Sequence, residues 1–267
     1  MIFRTGVVPR TKKIDMNQDK VWDYFQTEGL EKFSLSVPRL NFLLQQARRL
    51  SGKRNLRVLN IGVGDGWLEK KCMDQGWDAY ALDPIAAAID RVAAAGVKGK
   101  VGHIEAIPFA DDFFDVVFCS EIIEHLTKEQ IPQGLGEVER VLKTAGMLLG
   151  TVPFNENLFE GRVVCPDCGN VFHRIGHQQS FNTTTIAAVF PDSLELETVR
   201  ATYFCDWPTL NWKGKAIALV KKALLLAGVH GANENIYFAA RKTAKSATRE
   251  AGASIKPGVE RSGTPGR

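Results

Sequence analysis

The stretch "VLNIGVGDGWLEK", residues 58–70, decides the fold. An apolar run breaks into Gly62, Gly64 and Gly66 and resumes as a helical pattern. Glycines there let the backbone turn sharply and approach a ligand where a β-carbon would collide. Around this turn, residues 56–152 alternate apolar runs with helical stretches. "LRVLNIGVG", "DAYALDP", "GKVGHI", "FDVVFCSEI" and "GMLLGTVPF" read as strands, and "GWLEKKCMDQG", "IAAAIDRVAAAG" and most of "EQIPQGLGEVERVLKTAG" as helices. The alternation predicts an α/β fold with a mostly parallel sheet covered by helices on both faces.

Working outward, residues 1–51 read as a helical cover: two helices split near "FSLSVPRL", with Ser36 as cap and Pro38 in the first turn. Trp22, Tyr24 and Phe25 in the first of them either cover a pocket or fill core. The main domain is expected over 52–240, closed by strands "LELETVRATYF" and "NIYFAAR" as a reversed edge hairpin. Between them, "NWKGKAIALVKKALLLAGV" carries Lys215 and Lys222 on one helix side. Such a helix either packs its apolar side on the domain, the reading preferred here, or lies on a membrane surface. Residues 241–267 read as a disordered basic tail. With seven Lys/Arg against two Asp/Glu, they supply the whole of the +4 net charge and leave residues 1–240 at −1. A near-neutral body argues against a nucleic-acid partner. The sequence shows neither a secretory leader nor a spanning run, and five cysteines with one CxxC suit a reducing cytoplasm better than a disulfide framework.

An acid, Asp83 in "YALDP", ends the second strand, where a carboxylate can accept from the two hydroxyls of a ribose. The GxGxG spacing followed by Trp67, with "GHIEAIPFADDFFDVVFCSEIIEHL" further on, resembles the class I S-adenosylmethionine-dependent methyltransferases from about Leu56 to Pro153. The resemblance implies a Rossmann-like, seven-stranded sheet. It implies that Gly62, Gly64 and Gly66 cradle the methionine part of S-adenosylmethionine and that Asp83, beside Pro84, holds the ribose. By the same resemblance His103, Ile104 and Glu105 line the adenine, and Ser120 ends the fourth strand beside the substrate. The chain departs from that pattern twice. Asn60 stands where the family carries an aspartate, and His103 where it carries the aspartate of a Gly-Asp-Ala-Glu loop. An amide oxygen at Asn60 can still accept from the cofactor's ammonium group, without a full charge.

Methyl transfer is an in-line displacement, so the protein must align an acceptor and take charge of its proton. In "CSEIIEHL", Glu121, Glu124 and His125 would share a face if the following helix began early. Three readings stay open: a helix cap, His125 as general base, or a divalent cation such as Mg²⁺. The stretch resembles the ubiquinone-biosynthesis O-methyltransferases, in which the acids and histidine are associated with a metal ion.

One further cluster stands apart. "CPDCGNVFHRIGH" places Cys165, Cys168, His173 and His177 in Cys-x2-Cys-x4-His-x3-His order, which fits either a closed structural zinc site in an insertion over 155–181 or zinc held by the cysteines with another ligand, leaving His173 or His177 for the substrate. The acceptor is expected to be a hydroxyl of a small molecule, sugar or lipid-linked intermediate. The rivals are an RNA or protein methyltransferase anchored by the tail, and a non-catalytic cofactor-binding fold using the zinc module for interaction. Oligomeric state and acceptor identity are not encoded in any motif.

Overall fold

Three strands organise the molecule. β1 (Arg57–Ile61), β4 (Phe114–Ser120) and β5 (Leu142–Pro153) are buried along nearly their whole apolar length, as strands covered on both faces must be. The computed structural model describes residues 18–52, 54–231 and 233–244. β2 (Asp78–Asp83) and β3 (Lys98–Val101) lie to one side of β1. β8 (Leu194–Thr202) and β9 (Asn235–Lys242) lie beyond β5, and β6 (Arg162–Val164) with β7 (Val171–His173) forms a separate hairpin. The seven-stranded sheet runs β3-β2-β1-β4-β5-β9-β8, parallel through β5, with β9 antiparallel to both neighbours.

Alternate side chains enter opposite cores. Val58, Val116, Phe118 and Leu149 pack on the face covered by α2 (Val37–Ser51), α3 (Trp67–Asp74) and α4 (Ala86–Ala93). Leu59, Val117, Cys119 and Leu148 pack on the face of α5 (Gln130–Val141) and α6 (Thr183–Ala187). α1 (Gln18–Thr27), followed by a 3₁₀ segment over Leu30–Ser36, leads into α2. After β1 the chain builds outward to β3 and then returns to β4, so the order reverses between β1 and β4. A crevice at the carboxyl ends of the strands follows from that reversal.

Three expectations need correction. No helix begins at Glu121: Ile123–His125 is a single 3₁₀ turn and α5 starts only at Gln130. The tail does not begin at 241, because Arg241 and Lys242 complete β9, while residues 245–267 lie outside the described residues. The helix α7 (Trp212–Leu226) does not bury an apolar side. Ile217, Leu219, Val220, Leu224 and Leu226 are all exposed and only Ala218 is buried. Their spacing carries them around the helix, so one packed face could not gather them. Among the described residues, no helix is long and apolar enough to cross a membrane.

Lys242 shows why β9 continues. Its stem is buried while Nζ donates to Asp112 Oδ1 and to the Leu142 carbonyl, both at 2.8 Å. Lys242→Met keeps the stem but removes the donor, and should lower unfolding free energy by about 1–3 kcal/mol, the scale of a buried polar group left unmatched. Urea melts of the two proteins would measure it.

Candidate active site

The crevice is an open cleft of about 1730 Å³, walled by the ends of β1, β2 and β4, by α1, and by the 171–180 segment. Its floor is the glycine turn. Gly62 has φ +81°, a left-handed conformation that side chains rarely adopt, and a β-carbon there would also meet Ile122 Cδ1 at 2.5 Å. The side-chain tip could shift, but the backbone conformation could not, so glycine is required.

Asp83 closes the turn. Its Oδ2 accepts from Val63 N–H and its Oδ1 from Ile85 N–H, both at 2.9 Å. Burial raises its carboxyl pKa, while those two amide bonds, Arg91 and His103 oppose the rise. Gln26 Nε2, from α1, approaches Oδ2 at 3.4 Å. A neutral side-chain donor thus stands where a ribose hydroxyl would donate, and the donor set fits a nucleoside. Gln26 is held in turn by Arg91, whose guanidinium donates to Gln26 Oε1 and, at 2.6 Å, to the Gly64 carbonyl. Neither Gln26 nor Arg91 belongs to a sequence motif. A polar residue on the inner side of the N-terminal cover was the only available signal.

The remaining residues expected on the cofactor side share this cleft. Pro84, His103, Ile104, Glu105 and Ser120 all line the cleft. Glu105 accepts from Gln130 Nε2 at the start of α5, and Ser120 Oγ accepts from Arg39 Nε at 2.9 Å and pairs with Thr151 Oγ1 at 3.0 Å.

Asn60 is more involved than its sequence suggests. Its Nδ2 donates to Glu69 Oε1 at 2.8 Å and to the Gly62 carbonyl at 3.1 Å, which leaves Oδ1 for a ligand. Glu69, on α3, is buried and its Oε2 has no partner. The acid missing at position 60 therefore reappears one shell further back, from nine residues downstream.

On the opposite wall the acid–histidine stretch divides. Glu121, at φ +57°, accepts from Asn235 Nδ2 at 3.1 Å and lies 4.0 Å from Arg39 Nε, and it is not part of the group that Glu124 and His125 form with His177. Glu124 is fully buried, and neither carboxylate oxygen has a partner. Burial, reinforced by Glu121, pushes its carboxyl well above the usual range. His125 is buried with Nδ1 unpartnered. Burial, helped by neighbouring His177, lowers its pKa to about 3, against a hydrogen bond to the Gly176 backbone.

His177 arrives from the insertion, which straps onto this turn. Gln178 and Gln179 N–H groups donate to the Glu124 carbonyl at 2.8 and 3.0 Å, and Gln178 Nε2 donates to the His125 carbonyl at 2.9 Å. The His125 and His177 rings meet edge to face at 4.6 Å.

The four-ligand zinc set is not assembled. The β6–β7 register pairs Arg162 with His173 and Val164 with Val171, and Cys165 N–H bonds to the Asn170 carbonyl. His173 is thus at the hairpin's base and the cysteines at its tip, separated by about 10 Å at roughly 3.3 Å per strand residue. Among the described residues, the groups that bring three metal-ligating side chains together contain no cysteine. Amide bonds from Cys168 and Asp167 lower the Cys165 pKa, so the turn does cradle sulfur, but the histidines belong elsewhere.

Comparison with known proteins now has a geometry to attach to. Residues 59–150 match the methyltransferase domain family. The ubiquinone biosynthesis O-methyltransferase of Aliivibrio fischeri is 30% identical over 122 residues, which cover 43% of this chain and 50% of that enzyme. The match therefore spans about half the length of that relative. Among solved structures, the 1,6-didemethyltoxoflavin-N1-methyltransferase of Burkholderia thailandensis, which holds its acceptor and S-adenosylhomocysteine, superposes with a TM-score of 0.61 at 12% identity, covering 88% of this chain and 93% of that one. A SAM-dependent methyltransferase of Methanosarcina mazei gives 0.53 at 17% identity over 72% and 94%. Strand order, glycine turn and strand-end acid define a methyltransferase domain. Residues 59–150 carry that domain, and the sheet around it has the fold of the class I S-adenosylmethionine-dependent methyltransferases.

Glu69 supplies a test independent of ligands. Burial lifts its pKa from an ordinary 4.5 to about 7, with the Asn60 hydrogen bond opposing. The folded state thus keeps a proton that the unfolded chain releases, and stability is greatest below the unfolded value and falls as pH rises toward the folded one. The unfolding free energy of the free protein should drop by up to about 3 kcal/mol between these limits. Glu69→Gln should flatten that part of the profile, as read from urea melts at a series of pH values.

Proposed function

We propose that this protein transfers a methyl group from S-adenosylmethionine to an oxygen of a small-molecule, sugar or lipid-linked acceptor. The observation that carries the reading is one cleft with two unlike walls: the glycine turn and Asp83 on one, and His125 and His177, with Glu124 buried behind them, on the other. The names of the ubiquinone-biosynthesis relatives support an oxygen acceptor, and the small acceptor held by the toxoflavin enzyme supports the substrate's size. The exposed apolar residues of α7, together with Lys215 and Lys222, support peripheral contact with a membrane and so a lipid-linked acceptor.

When bound, the cofactor supplies an electrophilic methyl group on a positively charged sulfur. The chain's own residues do the rest. Asp83 takes the ribose hydroxyls, the amides of the 62–64 turn border the methionine portion, and Asn60 Oδ1 accepts from the ammonium group, with Glu69 behind it. Trp22 stacks edge-on against His125 at 4.6 Å and Gln18 donates to the carbonyls of His125 and Gly176 at 3.0 and 3.1 Å, so α1 excludes water from the acceptor wall. An acceptor hydroxyl would lose its proton at the His125–His177 wall, to the His125 imidazole or, because burial makes that imidazole a weak base, under the influence of a bound cation. The acceptor oxygen would then take the methyl group that the bound cofactor supplies, the electron pair of the broken carbon–sulfur bond staying on sulfur.

Calorimetry should show binding of S-adenosylmethionine and of S-adenosylhomocysteine but not of NAD. Asp83→Ala should weaken that binding by about 1.5–3 kcal/mol, the scale of charged hydrogen bonds left unmade. Absence of sulfonium-nucleoside binding would overturn the reading. His125→Ala should lower kcat by about 10²–10⁴ with cofactor affinity little changed, once labelled methyl donor and metabolite extracts have revealed an acceptor.

A further inference from the structure

Two sequence segments that read as separate sites converge on one point. Ligand atoms of Glu124, His125 and His177 all lie within 4.8 Å of one another. All three side chains are buried, and Glu124 is fully so. A buried carboxyl with neither oxygen hydrogen-bonded is costly as a bare anion, so Glu124 either keeps its proton or exchanges it for a cation held at those oxygens.

The imidazoles are already arranged for that cation. His177 Nδ1 is hydrogen-bonded to Glu156 Oε2, a carboxylate that can only accept, so the ring proton sits there and Nε2 carries the lone pair. Nε2 lies 3.9 Å from Glu124 Oε1, too long for a hydrogen bond, and the two atoms would close by about 0.5 Å to share a tetrahedral ion with ligand bonds of about 2.0–2.1 Å. His125 bonds to the Gly176 backbone with its other nitrogen and leaves Nδ1 unpartnered. Metal-binding histidines characteristically give their outer N–H to a carboxylate or carbonyl in this way.

The neighbouring group of Glu156, His173 and His177 does not compete. His173 Nδ1 accepts the His177 N–H at 3.1 Å, so its proton is on Nε2, and His177 Nδ1 is committed to Glu156. Those residues orient the site and do not ligate.

We propose that Glu124, His125 Nδ1 and His177 Nε2 bind one divalent first-row transition ion of the zinc class, with Glu156 positioning His177. Two imidazoles and one carboxylate suit such an ion better than Mg²⁺, which prefers oxygen donors. Three protein ligands leave coordination positions open, unlike a closed structural site. His125 and His177 both border the cleft, so the open side faces the acceptor wall. The ligand set differs from the acid–acid–histidine group of "EIIEH": Glu121 is engaged by Asn235 and Arg39, and the insertion supplies the third ligand. The inference rests on the proposed function only for the role of the ion, which would lower the pKa of an acceptor hydroxyl; binding itself does not depend on it.

The test uses the full-length protein stripped of metal, titrated with Zn²⁺ by calorimetry and with Co²⁺ by visible absorption. About one equivalent should bind per chain, because the three ligands serve one ion. His177→Ala should abolish the Co²⁺ spectrum, and the milder Glu156→Gln should weaken affinity by about 10–100-fold, as loss of an orienting partner does. The Cys165→Ser/Cys168→Ser double variant should bind as the unaltered chain does. Failure of the unaltered chain to bind either ion would overturn the site, as would binding lost with the cysteines and kept in His177→Ala. S-adenosylmethionine titrations of the same metal-free samples keep the two readings apart. Cofactor binding without metal binding would sink the ion alone, and metal binding without cofactor binding would sink the methyltransferase reading alone.

Discussion

The Asp83 carboxylate is the tie on which the cleft depends. Its two oxygens take the amides of Val63 and Ile85, so the turns that leave β1 and β2 are fastened to each other before any ligand arrives. The same group draws in Gln26, and through it Arg91 and the Gly64 carbonyl, so the helical cover and the glycine turn share one network. A carboxylate can serve so many donors because it accepts on both oxygens and donates on neither. Substituting an amide would turn one of those contacts into a clash of donors.

What could be read from the sequence was what is encoded over short spans. The glycine turn, its strand and helix, and Asp83 lie within 26 residues and follow from backbone geometry and alternation. The reversed β8–β9 hairpin was legible for the same reason. The Glu124–His125–His177 group was not, because it joins residues 52 positions apart through backbone bonds from Gln178 and Gln179 that no spacing rule contains. The Cys-x2-Cys-x4-His-x3-His pattern misled for a complementary reason. Ligand spacing assumes that the intervening chain folds back on itself, whereas a two-stranded register stretches it and carries the sulfurs to the tip. The pairing of Asn60 with Glu69 was hidden by a substitution whose compensation lies on a different element.

The histidines of the insertion thus have unlike duties. His173 fits against Gly161, where a β-carbon would come within 1.8 Å of Nε2, and holds the backbone of His177. His177 then projects between Glu156 and Glu124, one carboxylate hydrogen-bonded and the other bare. This asymmetry comes from sequence-distant packing: Glu156 follows β5, whereas Glu124 follows β4 and is sealed beneath the strap.

α1 touches both walls. Gln18 holds the histidine side and Gln26 the Asp83 side, eight residues and about 12 Å apart on one helix at 1.5 Å per residue. A single rigid rod bolted at each end cannot open over one ligand while staying shut over the other. Loosening of α1 at either latch therefore bares the Asp83 side and the histidine side of the cleft together.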